Sequence, residues 1–217
     1  STSSLSKTSR KIKESSLNIQ LFQGIISDEQ AAKLESYLQM IERWTTKIDR
    51  VSPAPSQVLF EKHIIDSALA WEIVSRETSL PEDLAYIDIG SGAGLPGVVF
   101  VILEPKRKVY LCEPRDKRCH FLKEVKRELS LENLEVLQMR MEDLESQDLE
   151  NIGLRISRAI PQESAFYKVS EKILSKEGYA AQMLGPNWEN NDNTVEVHEY
   201  QLPESKALRK LSIKRST

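Results

Sequence analysis

The chain is 217 residues long, with 40% hydrophobic, 6% aromatic and 29% charged residues and a formal net charge of −3 at pH 7. That length can bury a substantial core, and a normal apolar content with low net charge excludes disorder throughout. No run approaches the ~18 uninterrupted apolar residues of a membrane span, the start lacks a signal-peptide core, and two cysteines, Cys112 and Cys119, are too few for a disulfide framework or a zinc site. The expectation is a protein of a reducing compartment, taken to be cytoplasmic, without membrane or metal and by default a monomer.

Charge is unevenly spread. Residues 1–13 hold Lys7, Arg10, Lys11 and Lys13 and no acid, and the last twelve hold Lys206, Arg209, Lys210, Lys214 and Arg215 and no acid. Two basic ends read either as adhesive arms for a polyanion or as solvated tails. Residues 1–26 are taken as a flexible basic arm. Ser27-Asp28-Glu29-Gln30 then has the Ser and Gln of a capping box, and Leu34, Leu38, Ile41, Trp44 and Ile48 follow at the spacing of one helical stripe. Pro53 and Pro55 break the chain. A second helix is expected from near Ser56 through Phe60, Ile64, Ala68 and Trp71, ending before Pro81. Residues 27–80 thus form a helical extension ahead of a domain over 81–217.

In that domain Leu84 to Ile89 reads as a strand, Pro96 to Leu103 as a buried helix and Lys108 to Glu113 as a strand. A helix follows with Phe121, Leu122, Val125 and Leu129 inward and Lys123, Lys126 and Arg127 outward. Leu134 to Met139 and Leu154 to Ser157 read as strands, Ser164 to Leu174 as a helix, Glu177-Gly178 as a turn and Tyr179 to Leu184 as a strand. Val195 to Tyr200 and Leu208 to Ile213 close the chain as a hairpin. Alternating β and α units specify an α/β fold, a seven-stranded and mostly parallel Rossmann-like sheet with helices on both faces and an antiparallel strand from the closing pair.

The most informative stretch is Asp88-Ile89-Gly90-Ser91-Gly92-Ala93-Gly94-Leu95-Pro96-Gly97, a strand end, a glycine-rich turn and a helix start. In such sheets ligands bind beyond the carboxyl ends of the strands. Residues 92–97 satisfy the dinucleotide pattern G-x-G-x-x-G, but in the wrong register. That fingerprint begins directly after the strand, and counted from Gly90 its third glycine falls on Leu95. The better parse is an acid, Asp88, followed by Gly90, Gly92 and Gly94 around Ser91. This is the pattern of S-adenosylmethionine sites, and a carboxylate suits that cationic ligand where it would repel a diphosphate. A nucleotide site and a purely structural turn remain the alternatives.

Glu113 ends the next strand, where a carboxylate accepts ribose hydroxyls in either kind of site, or is simply a solvated strand-end acid. Arg140-Met141-Glu142-Asp143 follows the third strand and either frames an adenine edge or makes an acidic surface turn. The acceptor is narrowed by what the chain lacks. After the fourth strand Ser157-Arg158-Ala159-Ile160-Pro161 stands where amine methylation uses a Pro-Pro-aromatic loop. Cys112 and Cys119 read as buried packing residues and not as a thiolate for carbon methylation. What remains is an acceptor that is already nucleophilic, such as an unprotonated ring nitrogen, which requires alignment and no general base.

The glycine loop, His63-Ile64-Ile65-Asp66-Ser67 before it, Lys117-Arg118-x-x-Phe121-Leu122 after it, and Ile156-Ser157-Arg158-Ala159 together resemble the bacterial small-subunit rRNA methyltransferase G family, also called glucose-inhibited division protein B. The resemblance runs from about residue 27 to the end. It implies a class I methyltransferase fold, S-adenosyl-L-methionine as cofactor, 16S rRNA or the small ribosomal subunit as partner, and methylation of N7 of one guanosine. It also places Gly90, Leu95, Met141, Glu142 and Arg158 at cofactor contacts. Arg158, at the crevice mouth, is further expected to align the acceptor. Three departures lie outside the cofactor loop: Asp49-Arg50-Val51 in place of an Asn-Leu-Thr segment, Leu184 where the family has a lysine, and a carboxyl-terminal arginine whose counterpart is either Lys206 or Arg209. His63 and Asp66 share a helical face and are expected to make a structural hydrogen bond between helix and sheet, and Trp44 and Trp71 to pack in the core. Rival functions are a nucleotide-dependent oxidoreductase and a non-catalytic RNA-binding protein of the same fold.

Overall fold

The computed structural model describes residues 26–49, 56–147, 149, 151–158 and 173–216. The expected basic arm lies outside these residues except for Ile26, as does the helix expected over 164–174 except for its last two positions. No helix among the described residues is long and apolar enough to cross a membrane, and no group of three or more His, Cys, Asp or Glu among them could hold a metal ion.

Helix α1 spans Asp28–Asp49 and begins with the capping box: Gln30 N–H donates to Ser27 Oγ at 3.2 Å and Ser27 N–H to Gln30 Oε1 at 2.8 Å. The Gln30 amide also donates to the carbonyls of Ile102 and Leu103, both at 3.0 Å, satisfying the open end of another helix. Ser56–Leu59 (α2), a π-helical stretch Phe60–Ile65 and Asp66–Thr78 (α3) continue as one rod, which stops where Ser79 turns left-handed with φ 46°. Then come β1 (Ala85–Ile89), α4 (Gly97–Leu103), β2 (Val109–Cys112), α5 (Asp116–Glu128), β3 (Leu134–Leu137), a 3₁₀ turn at Met141–Ser146, β4 (Ile152–Arg158), β5 (Leu174–Leu184), β6 (Glu196–Gln201) and β7 (Leu208–Arg215).

The seven strands form one sheet in the order β3-β2-β1-β4-β5-β7-β6. All pairs from β3 to β5 are parallel, whereas β7 is antiparallel to both β5 and β6, the closing hairpin expected from the sequence. Strand order reverses between β1 and β4, so a crevice opens at their carboxyl ends. Leu34, Tyr37, Ile64, Val74, Val98, Phe100 and Leu122 from the helices meet Tyr86, Val109, Leu111, Leu154 and Ile156 on one sheet face in a continuous core. On the other face Ile87, Ile89, Cys112, Ile152 and Ala180 pack with Leu144 of the 3₁₀ turn. Trp44 stacks on Phe121 with ring centroids 4.8 Å apart, and Trp71 Nε1–H donates to Glu104 Oε1 at 2.8 Å; both pack against the core.

Three expectations change. Leu174, expected to end a helix, begins β5. Glu177-Gly178 is not a turn between elements but part of a bulge within β5, because Ile152 pairs with Leu174 and Leu154 with Tyr179, leaving the intervening β5 residues without partners on β4. The basic carboxyl end is neither an arm nor a solvated tail. It is strand β7, and three of its cations have partners: Arg209 Nε lies 3.6 Å from Asp66, Lys210 Nζ donates to the Trp188 carbonyl at 2.9 Å, and Lys214 Nζ lies 3.1 Å from Asp192, while Arg215 is exposed. Backbone pairing outweighs tail-like composition once a neighbouring strand is available. Lys123 and Arg127 of α5 are exposed, with Arg127 Nη2 3.0 Å from Glu128 Oε1.

Buried Arg107 locks the approach to β1. It pairs with Glu104, donates Nη1 to the carbonyls of Pro81 and Leu84, both at 2.6 Å, and Nη2 to that of Leu80 at 3.1 Å, and lies 4.3 Å over the Tyr86 ring. Arg107→Met removes the guanidinium donors from these carbonyls and leaves Glu104 with only the Trp71 N–H. It is expected to destabilise the fold by about 3–5 kcal/mol, the usual consequence of breaking a buried charge pair, as urea denaturation will measure.

Candidate active site

The loop after β1 is held at almost every backbone group. Gly90 and Ser91 N–H donate to the Cys112 carbonyl at 2.9 and 3.2 Å, and Gly94 and Leu95 N–H to the Ser91 carbonyl at 2.7 and 3.2 Å. Ser91 Oγ donates to the Asp88 carbonyl at 2.9 Å. Gly90, Gly92 and Gly94 have φ of 68°, 59° and 97°, the left-handed region that side chains disfavour. At Gly94 a Cβ would also come within 2.6 Å of Val98 and 2.9 Å of Leu122, whereas at Gly90 it would meet nothing within 4 Å. Gly90 therefore borders open space at the crevice, and Gly94 is packed behind it.

Two buried acids brace this loop. Asp88 on β1, 0% exposed, accepts the Gly97 N–H at 2.9 Å through Oδ2, while its Oδ1 has no partner among the described residues. Glu113, 2% exposed and directly after β2, accepts the Gly92 N–H at 3.0 Å through Oε2 and the Arg115 N–H at 3.0 Å through Oε1, with Arg118 Nη1 3.6 Å away. Burial pushes the Asp88 carboxyl up to about 7 against the opposing pull of the Gly97 N–H and the Arg158 charge.

These contacts discriminate between the ligands weighed from sequence. In a dinucleotide site the loop N–H groups and the first N–H of the following helix face a pyrophosphate. Here the N–H groups of Gly92 and Gly97 already face carboxylates of the chain itself, so a diphosphate would meet two acids and few free donors. A cationic methionine moiety fits beside open Gly90, and each Glu113 oxygen keeps a lone pair for a ribose hydroxyl. The residues present fit S-adenosylmethionine.

The other residues expected at the site differ in their surroundings. Leu95 is 3% exposed with its side chain in the core, so its position at the crevice is a backbone one. Met141 and Glu142 open the 3₁₀ turn after β3, Met141 half-buried and Glu142 exposed. Arg158 ends β4 at the reversal of strand order, half-buried, with Nη1 3.4 Å from His63 Nδ1. The cysteines are buried; Cys119 Sγ donates to the Glu113 carbonyl at 2.9 Å, and burial pushes the Cys112 thiol up to about 12. Neither is set up as a nucleophile.

Tyr37 and Arg155 were missed from sequence. Tyr37, 0% exposed on α1, donates its hydroxyl to the Ala93 carbonyl at 2.8 Å, fixing the middle of the glycine loop from a helix that precedes the sheet in sequence. The available signal was a tyrosine on a buried stripe, whose hydroxyl must find a partner. Arg155, 0% exposed inside β4, donates Nη2 to Met141 Sδ at 3.5 Å and so steadies the 3₁₀ turn. Nothing in its strand-like surroundings distinguished it.

Sheet order, loop register and the acid pair define a class I S-adenosylmethionine-dependent methyltransferase. Solved structures share this fold: a MtNAS variant in complex with S-adenosylmethionine (TM-score 0.56, 10% identity, 94% of this chain and 78% of that one) and a METTL16 methyltransferase domain (TM-score 0.56, 12% identity, 84% and 96%). The family model of rRNA small subunit methyltransferase G matches residues 30–214, and the chain belongs to that family. Proteins named ribosomal RNA small subunit methyltransferase G are 29% identical over 194 residues in Francisella philomiragia (87% of this chain, 90% of the relative) and 30% identical over 197 residues in Desulfotalea psychrophila (84% and 88%).

Gly90→Val is expected to abolish binding of S-adenosylhomocysteine by calorimetry, since a Val side chain would project into the open space at the crevice and would strain the left-handed backbone of the loop. Glu113→Ala should weaken binding by roughly 1.5–3 kcal/mol, the worth of hydrogen bonds to a charged group.

A pH dependence follows from Asp88. Its raised folded pKa means that the folded state holds a proton the unfolded chain has released. The acid's contribution to stability therefore falls as pH rises from the usual carboxyl range through about 7. Asp88→Asn keeps an acceptor for Gly97 and does not ionise. Unfolding free energies of the two proteins, measured from about pH 4 to about pH 8, should diverge in favour of the variant with rising pH. A constant difference would show that Asp88 does not titrate in this window.

Proposed function

We propose that the enzyme methylates N7 of a guanosine in 16S rRNA, in the free RNA or in the small ribosomal subunit. The observation that carries this reading is the character of the groups at the carboxyl ends of β1 and β4. Asp88 is tied to Gly97 under the loop, Arg158 is a cation, and His63 faces that cation and not a carboxylate. Such a crevice suits an acceptor that attacks without losing a proton, and N7 of guanine carries an in-plane lone pair. When bound, S-adenosylmethionine supplies an electrophilic methyl group whose bonding pair returns to sulfur as N7 takes the carbon.

Residues of the chain then act by position and charge. Asp88 and Glu113 hold the loop, Gly90 leaves room for the methionine end, Glu113 accepts the ribose hydroxyls, and Met141 and Glu142 frame the adenine. Arg158 orients the acceptor. A bidentate arginine contact to guanine O6 and N7 is common in recognition, but here N7 must stay free, so Arg158 donates to O6 alone or to a neighbouring phosphate. Arg209, 3.6 Å from Asp66 in the cluster that includes Arg158, is the better counterpart of the family's carboxyl-terminal arginine; Lys206 is exposed in the β6–β7 connection. Exposed cations such as Lys123 and Arg127 of α5 and Arg215 of β7 pair with phosphates, Arg127 in exchange for its contact with Glu128 at 3.0 Å.

Radiolabelled methyl transfer to small subunits lacking the modification tests the reading directly. Transfer should occur with guanine at the target and vanish with 7-deazaguanine; no transfer to any form of 16S rRNA would leave the non-catalytic RNA-binding reading. Arg158→Ala should cut turnover roughly 100-fold, as removal of a transition-state donor does, and leave the salt dependence of RNA binding nearly intact. Neutralising Lys123 and Arg127 should do the reverse, flattening the salt slope by about one unit for each phosphate left without its cation.

A further inference from the structure

The helical rod carries a polar cluster that the transfer reaction has not absorbed. Glu61 Oε1 accepts the N–H groups of Glu204 and Ser205 at 2.6 and 2.9 Å. Asp66 Oδ1 accepts the Tyr200 hydroxyl at 2.8 Å, with Arg209 Nε 3.6 Å from Oδ2. Between them His63 turns to β4, its Nδ1 3.4 Å from Arg158 Nη1. The π-helical turn over Phe60–Ile65 spaces these three side chains, so that the acids engage the closing hairpin and the imidazole engages the crevice.

The His63–Arg158 contact has a chemical constraint. A guanidinium has N–H donors and no acceptor, so the contact is attractive only if Nδ1 presents its lone pair and the ring proton sits on Nε2. The surroundings favour that form. Burial first, then the charges of Arg158 and Lys62, hold the imidazole down to about 4, leaving it neutral near pH 7. Asp66, three positions on, is occupied by Tyr200 and Arg209, and Glu61, two positions before, by the N–H groups of Glu204 and Ser205, so neither acid faces His63 as an acid–base partner.

We propose that His63 is a positioning residue for Arg158: the neutral ring, as the Nε2–H tautomer, accepts one guanidinium N–H and fixes the plane in which the remaining donors face the crevice. The inference rests on the reading that Arg158 orients the acceptor. It adds how the side chain is held, through a residue of the helical extension and not of the sheet. A planar guanidinium fixed along one edge keeps its other donors in a set direction, whereas an unanchored arginine at a strand end samples many rotamers.

The full chain, labelled with ¹⁵N-histidine, gives the direct test: His63 should show a protonated Nε2 and a bare Nδ1 at neutral pH, and an Nδ1–H tautomer or an imidazolium would overturn the proposal. This measurement needs no variant to fold. In methyl transfer to small subunits, His63→Leu should lower kcat about tenfold or more, the worth of a hydrogen bond to a charged group, with little change in KM for RNA. His63→Asn, whose Oδ1 takes the place of Nδ1, should recover most of that loss. If His63→Leu keeps full kcat while Arg158→Ala is impaired, the positioning role fails and the Arg158 reading stands. If Arg158→Ala keeps full turnover, the Arg158 reading fails and the role of His63 fails with it.

Discussion

Much of this site depends on two carboxylates that accept backbone N–H groups of the glycine loop. Asp88 holds the N–H of Gly97 and Glu113 that of Gly92, both buried to within 2% of full exclusion from solvent. A turn with three left-handed glycines has little conformational preference of its own, and ordering it costs more chain entropy than ordering other residues. Internal acceptors offset that cost before a ligand arrives. They also set the sign of the site, because N–H groups already facing carboxylates are poor hosts for a second anion and the acids are good neighbours for a cation.

Burial of these acids is offset by further parts of the chain. The charge of Arg158 bears on Asp88, Asp66, Tyr37 and Tyr200, so one guanidinium at the end of β4 lies in the field of the glycine loop and of the closing hairpin together. The helical extension supplies the other supports. Tyr37 reaches the Ala93 carbonyl from α1, and the rod from Ser56 reaches β6, β7 and their connection through Glu61 and Asp66. Helices that precede the sheet in sequence thus shape both walls of the crevice. Their hydrophobic stripes merge with the sheet's in one core, and this holds the polar contacts at fixed distance.

How much of this was legible in the sequence varies with the range of the interaction. The capping box at Ser27 and Gln30, the apolar stripe of α1, the strand–glycine–helix transition at Asp88 to Gly97 and the alternation of strands and helices are local patterns, and local sterics and periodicity write them into neighbouring residues. The class of ligand was legible for the same reason, since an acid and three glycines in a given register select among ligand charges. The resemblance to the methyltransferase G family rested on such local runs as well.

Tertiary structure alone decided the rest. Tyr37 and Ala93 are far apart in the chain, as are His63 and Arg158, and no local pattern marks which pairs will meet. The sequence marked a strand over Leu208 to Ile213, but its basic composition also allowed an arm or tail; pairing with β5 as well as β6, and the placing of Asp66, Glu199 and Asp192 beside its cations, came from packing. The bulge in β5 likewise answers to its pairing with β4. Sequence by itself determined the elements, the glycine loop and the sign of the ligand, because these depend on residues within a few positions of one another. Which side chains hold that loop and meet Arg158 depended on packing distant segments into one core, and chain proximity carries no information about that.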